Sequence, residues 1–448
     1  MGSWQDYLPP VNPVASVLAG KNCESVQAMP ICENTPWLPF CHQRILEKWA
    51  ELLAVHGKAS IELRWEDYVR IRAEVYDEVF DRFTPAPAWM AAPVQATRPG
   101  LLDSRVERNG DELFHITRSG RRIRMGNFRD PSADDILEGR AALDPTWDTS
   151  LGFASFKDHG GWQPAANRVE EFRKGVPYVI GEPYDPDAMG QGDVIDVEDW
   201  IPRRGFVETD AEGKTSADDL LAAGAYEVAN SVAERTQWRH AMYGGGTSPF
   251  QDTCYDLGFE GLMESMVLEP ELVHAAARTH FLRPSSRDEA MKRSGIGIIY
   301  LFQMFGGGDL FGPRQFEEFV APAVRQALDF YHDRGFRVVY YPMGNATPHL
   351  APMRDLNWDG LSLEESRRDY VIDIAEVRRV MGPDRVLFGN VPTTLIETGT
   401  RDELVREARR QIRAAAKHGN FILSCGTPIM PGTPAERVRF FCRLPGLI

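Results

Sequence analysis

In the last third of the chain, amphipathic stretches and short apolar runs alternate in one recurring phrase. A stretch with helical spacing ends at Gly335, the run Val338-Val339-Tyr340-Tyr341 follows, and Pro342 breaks it before Gly344-Asn345. Glycine after a basic helix end is a stop signal, and a short β-branched and aromatic run between Gly and Pro reads as a buried strand. The phrase returns at Gly382 with Val386-Leu387-Phe388-Gly389-Asn390. It returns again at Gly419 with Phe421-Ile422-Leu423-Ser424-Cys425. Repeated helix–strand units whose strands end in small polar residues predict a parallel sheet with its chemistry at the strands' C-terminal ends.

The same reading applied upstream predicts helices over 14–18, 45–55, 67–83, 217–236 and 257–267, and one opened by Pro270. A long helix over 313–334 should kink at Pro322. Thr400 with Glu403 is a capping box, and Thr433 with Glu436 repeats it with Pro434 at the first helical position. Strands are expected at 26–31, 238–243, 296–302, 337–342, 358–363, 385–389 and 420–424, with an eighth somewhere in 80–95. The predicted fold class is α/β, a (β/α)8 TIM barrel, with a doubly wound open sheet as runner-up. Asn109-Gly110 signals a β-hairpin with a type I′ turn inside 105–125, and a second turn at Ser119-Gly120 extends it to three strands. Residues 126–215 are rich in Gly, Pro, Asp and Trp and read as long loop excursions containing one strand at 177–181. On this reading 1–448 is a single barrel domain with insertions at about 100–126 and 126–215.

Composition narrows the function. The 448 residues, 43% of them hydrophobic, suffice for a large core. A formal net charge of −15 argues against a nucleic-acid partner, whose phosphates call for a basic face. No apolar run reaches the ~18 residues of a membrane span, and MGSWQDYLPPVNP lacks the basic-then-apolar order of a secretory signal. Six scattered cysteines without a CxxC pair suit a reducing compartment, so the expected location is cytoplasmic.

From about Trp238 onward the chain resembles the uroporphyrinogen decarboxylase-like superfamily, and more closely its corrinoid-dependent methyltransferase branch. The residues that carry the likeness are Gly344-Asn345, the run from Val386 to Pro392, and Phe421-Ile422-Leu423-Ser424 followed by Pro431 to Val438. Phe259-Glu260-Gly261-Leu262 with Met266, then Pro270 to His274, fits the segment ahead of the 296–302 strand, and the hairpin resembles an insertion common in that branch. In members that methylate a thiol, the resemblance implies zinc held by a His-x-Cys pair and a later Cys. The matching positions here are Tyr341 and Met343, with Cys425 in the place of the later Cys but further from Thr433-Pro434 than the pattern has it. Zinc needs soft or imidazole ligands, so a thiol acceptor is not expected and the metal content stays open. The arginine-rich N-terminal segment of the decarboxylases has no counterpart in Val26 to Leu38, which contains no arginine.

The resemblance therefore implies a methyltransferase that demethylates a small methylated donor, with an aryl methyl ether as leading candidate. The methyl group would pass to the cobalt of a corrinoid carried by a separate corrinoid protein. An ether oxygen leaving under such attack needs a proton from a general acid or help from a metal. Candidate catalytic residues are Tyr341, His240 and Glu364; candidate substrate-binding residues are Asn345, His349, Asn390 and Asp309. Each has a structural alternative. His240 suits a core, Tyr341 is a good strand residue, and Asn345 and Asn390 can cap helices. Glu364 with Glu365 can answer a helix dipole, and Cys425 suits a buried thiol. Gly306-Gly307-Gly308 lacks the dinucleotide spacing and is expected to keep a barrel mouth open. Trp89, Trp147, Trp162 and Trp200 are candidates for an aromatic pocket. The rival readings are a lyase that decarboxylates an aromatic or tetrapyrrole acid, and a barrel that only binds a ligand or partner. A homodimer is the candidate assembly.

Overall fold

The computed structural model describes residues 13–18, 27–29, 38–82, 88–90, 103–137 (except 117, 119 and 121), 216–279 (except 238), 286–417, 420–429 and 433–448. In chain order the described strands are β1 (Gln27–Ala28), β2 (Ser60–Glu62), β3 (Ala88–Met90), β4 (Arg105–Asn109), β5 (Glu112–Ile116) and β6 (Arg122–Asn127). They continue with β7 (Ala241–Thr247), β8 (Ile298–Gln303), β9 (Arg337–Pro342), β10 (Gly360–Leu361), β11 (Val386–Phe388) and β12 (Phe421–Leu423). Eight of them form one sheet in the order β1-β12-β11-β10-β9-β8-β7-β3, and every pairing in it is parallel. The expected eighth strand is β3, within 80–95. From β12 to β3 the order falls steadily, without the reversal that defines a doubly wound sheet, which sets the runner-up aside. Among the described residues no pairing joins β1 to β3.

Helices follow the strands, and the core lies between the two layers. Leu328 and Tyr331 on the helix Ala321–Asp333, and Leu404 and Ala408 on the helix Arg401–Ala415, are buried while the same helices expose charged faces. Gly335 and Gly382 end their helices at φ +78° and +84°, as a C-terminal stop requires. The Thr400–Glu403 capping box forms with both of its hydrogen bonds.

Several local expectations shift, each for a steric reason. The strand placed at 238–243 runs instead over Ala241–Thr247, so Gly244-Gly245-Gly246 lie within it rather than opening its mouth. A Cβ on Gly246 would sit 2.9 Å from both Ile299 Cγ2 and Tyr331 Oη, and one on Gly244 would sit 2.7 Å from Met291 Sδ. The glycines let neighbouring side chains close directly onto the strand. The helix expected over 217–236 is two, Ala217–Ala222 and Glu227–Arg235, divided at Gly224 (φ +86°), which packs against the Trp65 indole. Gly258 (φ +73°) likewise divides Pro249–Leu257 from Phe259–Leu268. The helix beginning at Pro313 widens into a π-helical stretch, Phe316–Val320, just ahead of Pro322. The wider turn accommodates the proline ring and its missing N–H. The last helix, Ala435–Arg443, has Pro434 at its cap and no side-chain cap bond, so the second predicted box does not form.

β2, β4, β5 and β6 make a separate antiparallel sheet. Asn109 pairs with Glu112, so the hairpin turn is Gly110-Asp111, with positive φ at Gly110 alone. The turn is thus displaced by one residue from the predicted Asn-Gly pair. His42 and Gln43 of the helix Leu38–Val55 bond the β6 carbonyls of Met125 and Asn127, which fixes the sheet against that helix. The strand expected at 177–181 and Trp147, Trp162 and Trp200 lie outside the described residues.

Candidate functional site

The site is built where β9, β10, β11 and β12 end. Leu361 pairs with both Tyr340 and Leu387, and Phe388 with Ile422. Past the last paired residues, a bridge joins Val391 to Cys425. Continuing these registers sets Met343, Glu364, Asn390 and Ser424 side by side on one face, because side chains alternate along a strand. The row beneath holds Tyr341, Ser362, Phe388 and Ile422. Below the mouth the wall is aromatic: Tyr300 meets Phe302 at 5.4 Å, Tyr341 at 5.9 Å and Phe388 at 6.3 Å between ring centroids.

Glu364 is 7% exposed. Its Oε2 accepts from the Tyr370 hydroxyl at 3.2 Å and lies 3.9 Å from Arg367. Burial raises the Glu364 pKa above the usual carboxylate value, against the opposing pull of Arg367, the Gly344 N–H and Tyr370; nearby Asp309 adds to the rise. The same surroundings, burial first and Glu364 next, push the Tyr370 phenol up to about 12. Tyr370 reaches Glu364 because the chain after β10 doubles back at Arg368-Asp369, with Arg367 and Tyr370 paired across the turn. Asn390 holds both feet of this loop, its Nδ2 donating to the carbonyls of Glu364 (3.1 Å) and Ile372 (2.8 Å). Glu365 turns the other way. Its carboxylate accepts from the Thr393 N–H at 2.6 Å and from the Thr393 hydroxyl, at the start of the helix Thr393–Glu397.

The loop after β8 closes on the same end. Asp309 is exposed, and its Oδ1 accepts the Asn345 N–H at 2.8 Å, while Gly308 N–H donates to the Asn345 carbonyl at 2.7 Å. Gly344 between them has φ +88°, and a Cβ there would stand 2.6 Å from the Asp309 oxygen, so only glycine fits the approach.

The structure brings Glu364, Asp309, Asn345 and Asn390 together, while assigning the two asparagines backbone work. Asn345 Oδ1 accepts from Thr347 N–H at the head of a short helix. Tyr341 is fully buried and donates its hydroxyl to the Gly426 carbonyl at 2.7 Å, tying β9 to the loop after β12. His349 is buried between the carbonyls of Gly306 and Phe311, each 3.1 Å from a ring nitrogen, and stacks on Phe316. Burial lowers its pKa against the pull of those carbonyls. It clamps the loop that carries Asp309. His240 is not part of the group. It precedes β7 and stacks on Phe80 with centroids 4.2 Å apart. At ~3.3 Å per residue the strand separates it from the mouth by roughly 20 Å. The candidate moves because the strand runs on through its glycines.

Sequence reasoning missed Ser362, Tyr370 and Arg367. Ser362 was discoverable, two positions before Glu364 on the same alternation. Tyr370 and Arg367 carry no such signal, because a tight turn brings them back. The positions matching the zinc ligands do not fit that metal. Tyr341 is engaged with Gly426, Met343 offers a thioether, and Cys425 is buried beside Val391. Among the described residues no cluster of three or more His, Cys, Asp or Glu side chains could hold a metal ion. No described helix is long and apolar enough to cross a membrane.

Comparisons with known proteins bear on this arrangement. The family model described as Uroporphyrinogen decarboxylase (URO-D) matches residues 188–444. The uroporphyrinogen decarboxylase of Anaeromyxobacter sp. (strain Fw109-5) is 27% identical over 182 residues, 41% of this chain and 50% of that protein. The chain thus spans about half the length of that curated relative. The uroporphyrinogen decarboxylase of Myxococcus xanthus is 25% identical over 275 residues, 59% of this chain and 72% of that protein. Among solved structures, a methyltransferase from Methanosarcina mazei superposes with TM-score 0.51 at 16% identity. The alignment covers 98% of this chain and 99% of that one, a likeness of fold.

Proposed function

The chain belongs to the uroporphyrinogen decarboxylase family, and from that premise we propose that it is a methyltransferase. In this reading it demethylates a small methylated donor and delivers the methyl group to a corrinoid protein, and its parallel sheet closes between β1 and β3 into a (β/α)8 barrel. The observation that carries the reading is Glu364, a buried carboxyl whose pKa burial raises, set beside Tyr370 at the strands' C-terminal ends. Such a group is suited to give a proton to an ether oxygen as its bond to methyl carbon breaks. The donor R–O–CH3 becomes R–OH, and the methyl carbon goes to the nucleophile. The corrinoid, held by its own protein, supplies that nucleophile. This chain binds and orients the donor, raises the proton affinity of Glu364 by burying it, and delivers the proton from that carboxyl. Tyr370 and Asn390 are positioning residues, the one by hydrogen bond to the Glu364 carboxyl and the other by holding its loop.

The same end of the sheet disfavours a polycarboxylate substrate. Asp309 stands there beside Asn345, and Arg367 already pairs with Glu365 at 3.3 Å. A further carboxylate would have to compete with Glu365 for Arg367 and would meet Asp309 unneutralised. The solved neighbour is itself named a methyltransferase, while the named curated relatives keep a decarboxylase as the second reading. Mixing the protein with a corrinoid protein reduced to Co(I) and a panel of methoxyaromatics and methylamines should bleach the Co(I) spectrum. No change across the panel rejects the proposal, and carbon dioxide release from an aromatic or tetrapyrrole acid without corrinoid selects the lyase.

A further inference from the structure

Two buried polar atoms on adjoining strand ends have no hydrogen-bond partner: Ser362 Oγ, on a residue 0% exposed, and Asn390 Oδ1, on a residue 3% exposed. The Asn390 amide cannot turn to relieve this. Its Nδ2 donates to two carbonyls, and a flipped amide would aim oxygen at both of them. The free Oδ1 is therefore directed away from those carbonyls, and it can only accept. Ser362 follows Gly360 on the same alternation. A Cβ on Gly360 would meet Phe388 Cε2 at 2.9 Å, Leu18 Cδ2 at 3.0 Å and Val339 Cγ2 at 3.4 Å, so this face of β10 looks onto Phe388, which adjoins Tyr300 and through it Tyr341, with Leu18 closing the lower end. Buried polar groups in a native protein are nearly always paired. Two left open on neighbouring strands, above an aromatic wall and beside Glu364, mark a place where a ligand completes the bonding.

We infer that Ser362 Oγ and Asn390 Oδ1 form a hydrogen-bonding subsite for a neutral aromatic ligand carrying an O–H or N–H group. The ring would lie against the aromatic wall, its donor hydrogen would meet Asn390 Oδ1, and Ser362 would bond the same substituent. An anion is disfavoured because Oδ1 offers no proton and the exposed Asp309 carboxyl stands at the same end. The inference deepens the proposed function and rests on that reading for the site's location, but it concerns binding alone.

The test uses the full-length protein without corrinoid and three one-ring probes: phenol, anisole and benzoate. Ligand-observed NMR titration should show phenol binding about tenfold more tightly than anisole, the effect of one satisfied hydrogen bond, and benzoate more weakly than either. Ser362→Ala should bring phenol and anisole to within about twofold. It should leave thermal stability unchanged or raised, because it deletes an unpaired hydroxyl. Equal binding of phenol and anisole to the unaltered protein would mean that water serves the two atoms, and would overturn the inference. So would a preference for benzoate, or a Ser362→Ala variant that keeps the tenfold preference or loses stability. Methyl transfer is not required at any step, so this result and that of the Co(I) assay fail or succeed separately.

Discussion

Replacing Asn390 tests the link between the fold and the site. Its Nδ2 is the donor for two carbonyls, Glu364 O and Ile372 O, at the two feet of the loop that carries Tyr370. Asn390→Ala strands both acceptors. A buried acceptor left unsatisfied costs about 1–3 kcal/mol. Ser366 to Asp369 are exposed, so water can reach part of the released loop, and the expected loss is about 2–4 kcal/mol. Asn390→Asp separates this account from simple loss of volume. It keeps the shape but aims a carboxylate oxygen at the same two carbonyls. At pH 8 it should destabilise more than alanine does. The variant carboxyl would have a folded-state pKa above its unfolded value of ~3.9. The folded variant then binds more protons than the unfolded chain in that window, and its stability recovers as pH falls. The assay is thermal unfolding at several pH values, with hydrogen exchange read at Arg367, Tyr370 and Ile372, whose amides are bonded within the loop. An alanine loss below about 0.5 kcal/mol, or an aspartate variant as stable at pH 8 as the unaltered chain, would refute the assigned amide orientation.

At the opposite end of the sheet, Asp359 accepts from His332, Arg337 and the Val338 N–H. Burial raises its pKa, but those three donors outweigh it and the net shift is downward. Asp359→Asn should cost roughly 2–3 kcal/mol near neutrality and leave catalysis unchanged. The stabilisation is present above the unfolded carboxylate pKa and is lost as pH falls through the folded one, so the variant's deficit should shrink in acid; a pH-independent deficit in thermal unfolding contradicts this. Gly246→Ala must push Ile299 and Tyr331 away from a new Cβ, and overpacking of this kind costs about 1–3 kcal/mol. A melting temperature equal to or above that of the unaltered protein would show that the close approach is not tight.

The sequence was most legible where local chemistry and tertiary packing agree. Gly335 and Gly382 stop helices at positive φ, Thr400 and Glu403 cap one, and the runs between them pair as parallel strands. Legibility failed where tertiary contacts override local cues. The glycines of β7 look like a loop until Met291, Ile299 and Tyr331 are seen pressing on them, and the resulting shift moved His240 from the site to the far end of its strand. Glu364 was readable as an acid at a strand end. Its partner Tyr370 was not, because an exposed two-residue turn decides that contact. His349 and Tyr341 are legible as polar groups near strand ends. Their hydrogen bonds to the Gly306, Phe311 and Gly426 carbonyls arise only from the folded loops.

The most direct measurement is the pH dependence of methyl transfer from a methoxyaromatic donor to the Co(I) corrinoid protein, for the unaltered enzyme and for Glu364→Gln. With Glu364 as proton donor, the unaltered rate falls as pH rises through the elevated Glu364 pKa. The glutamine variant should be slower by about 10²–10⁴-fold, with that limb absent, while remaining folded. A glutamine variant as fast as the unaltered enzyme, with the same pH profile, would contradict the account.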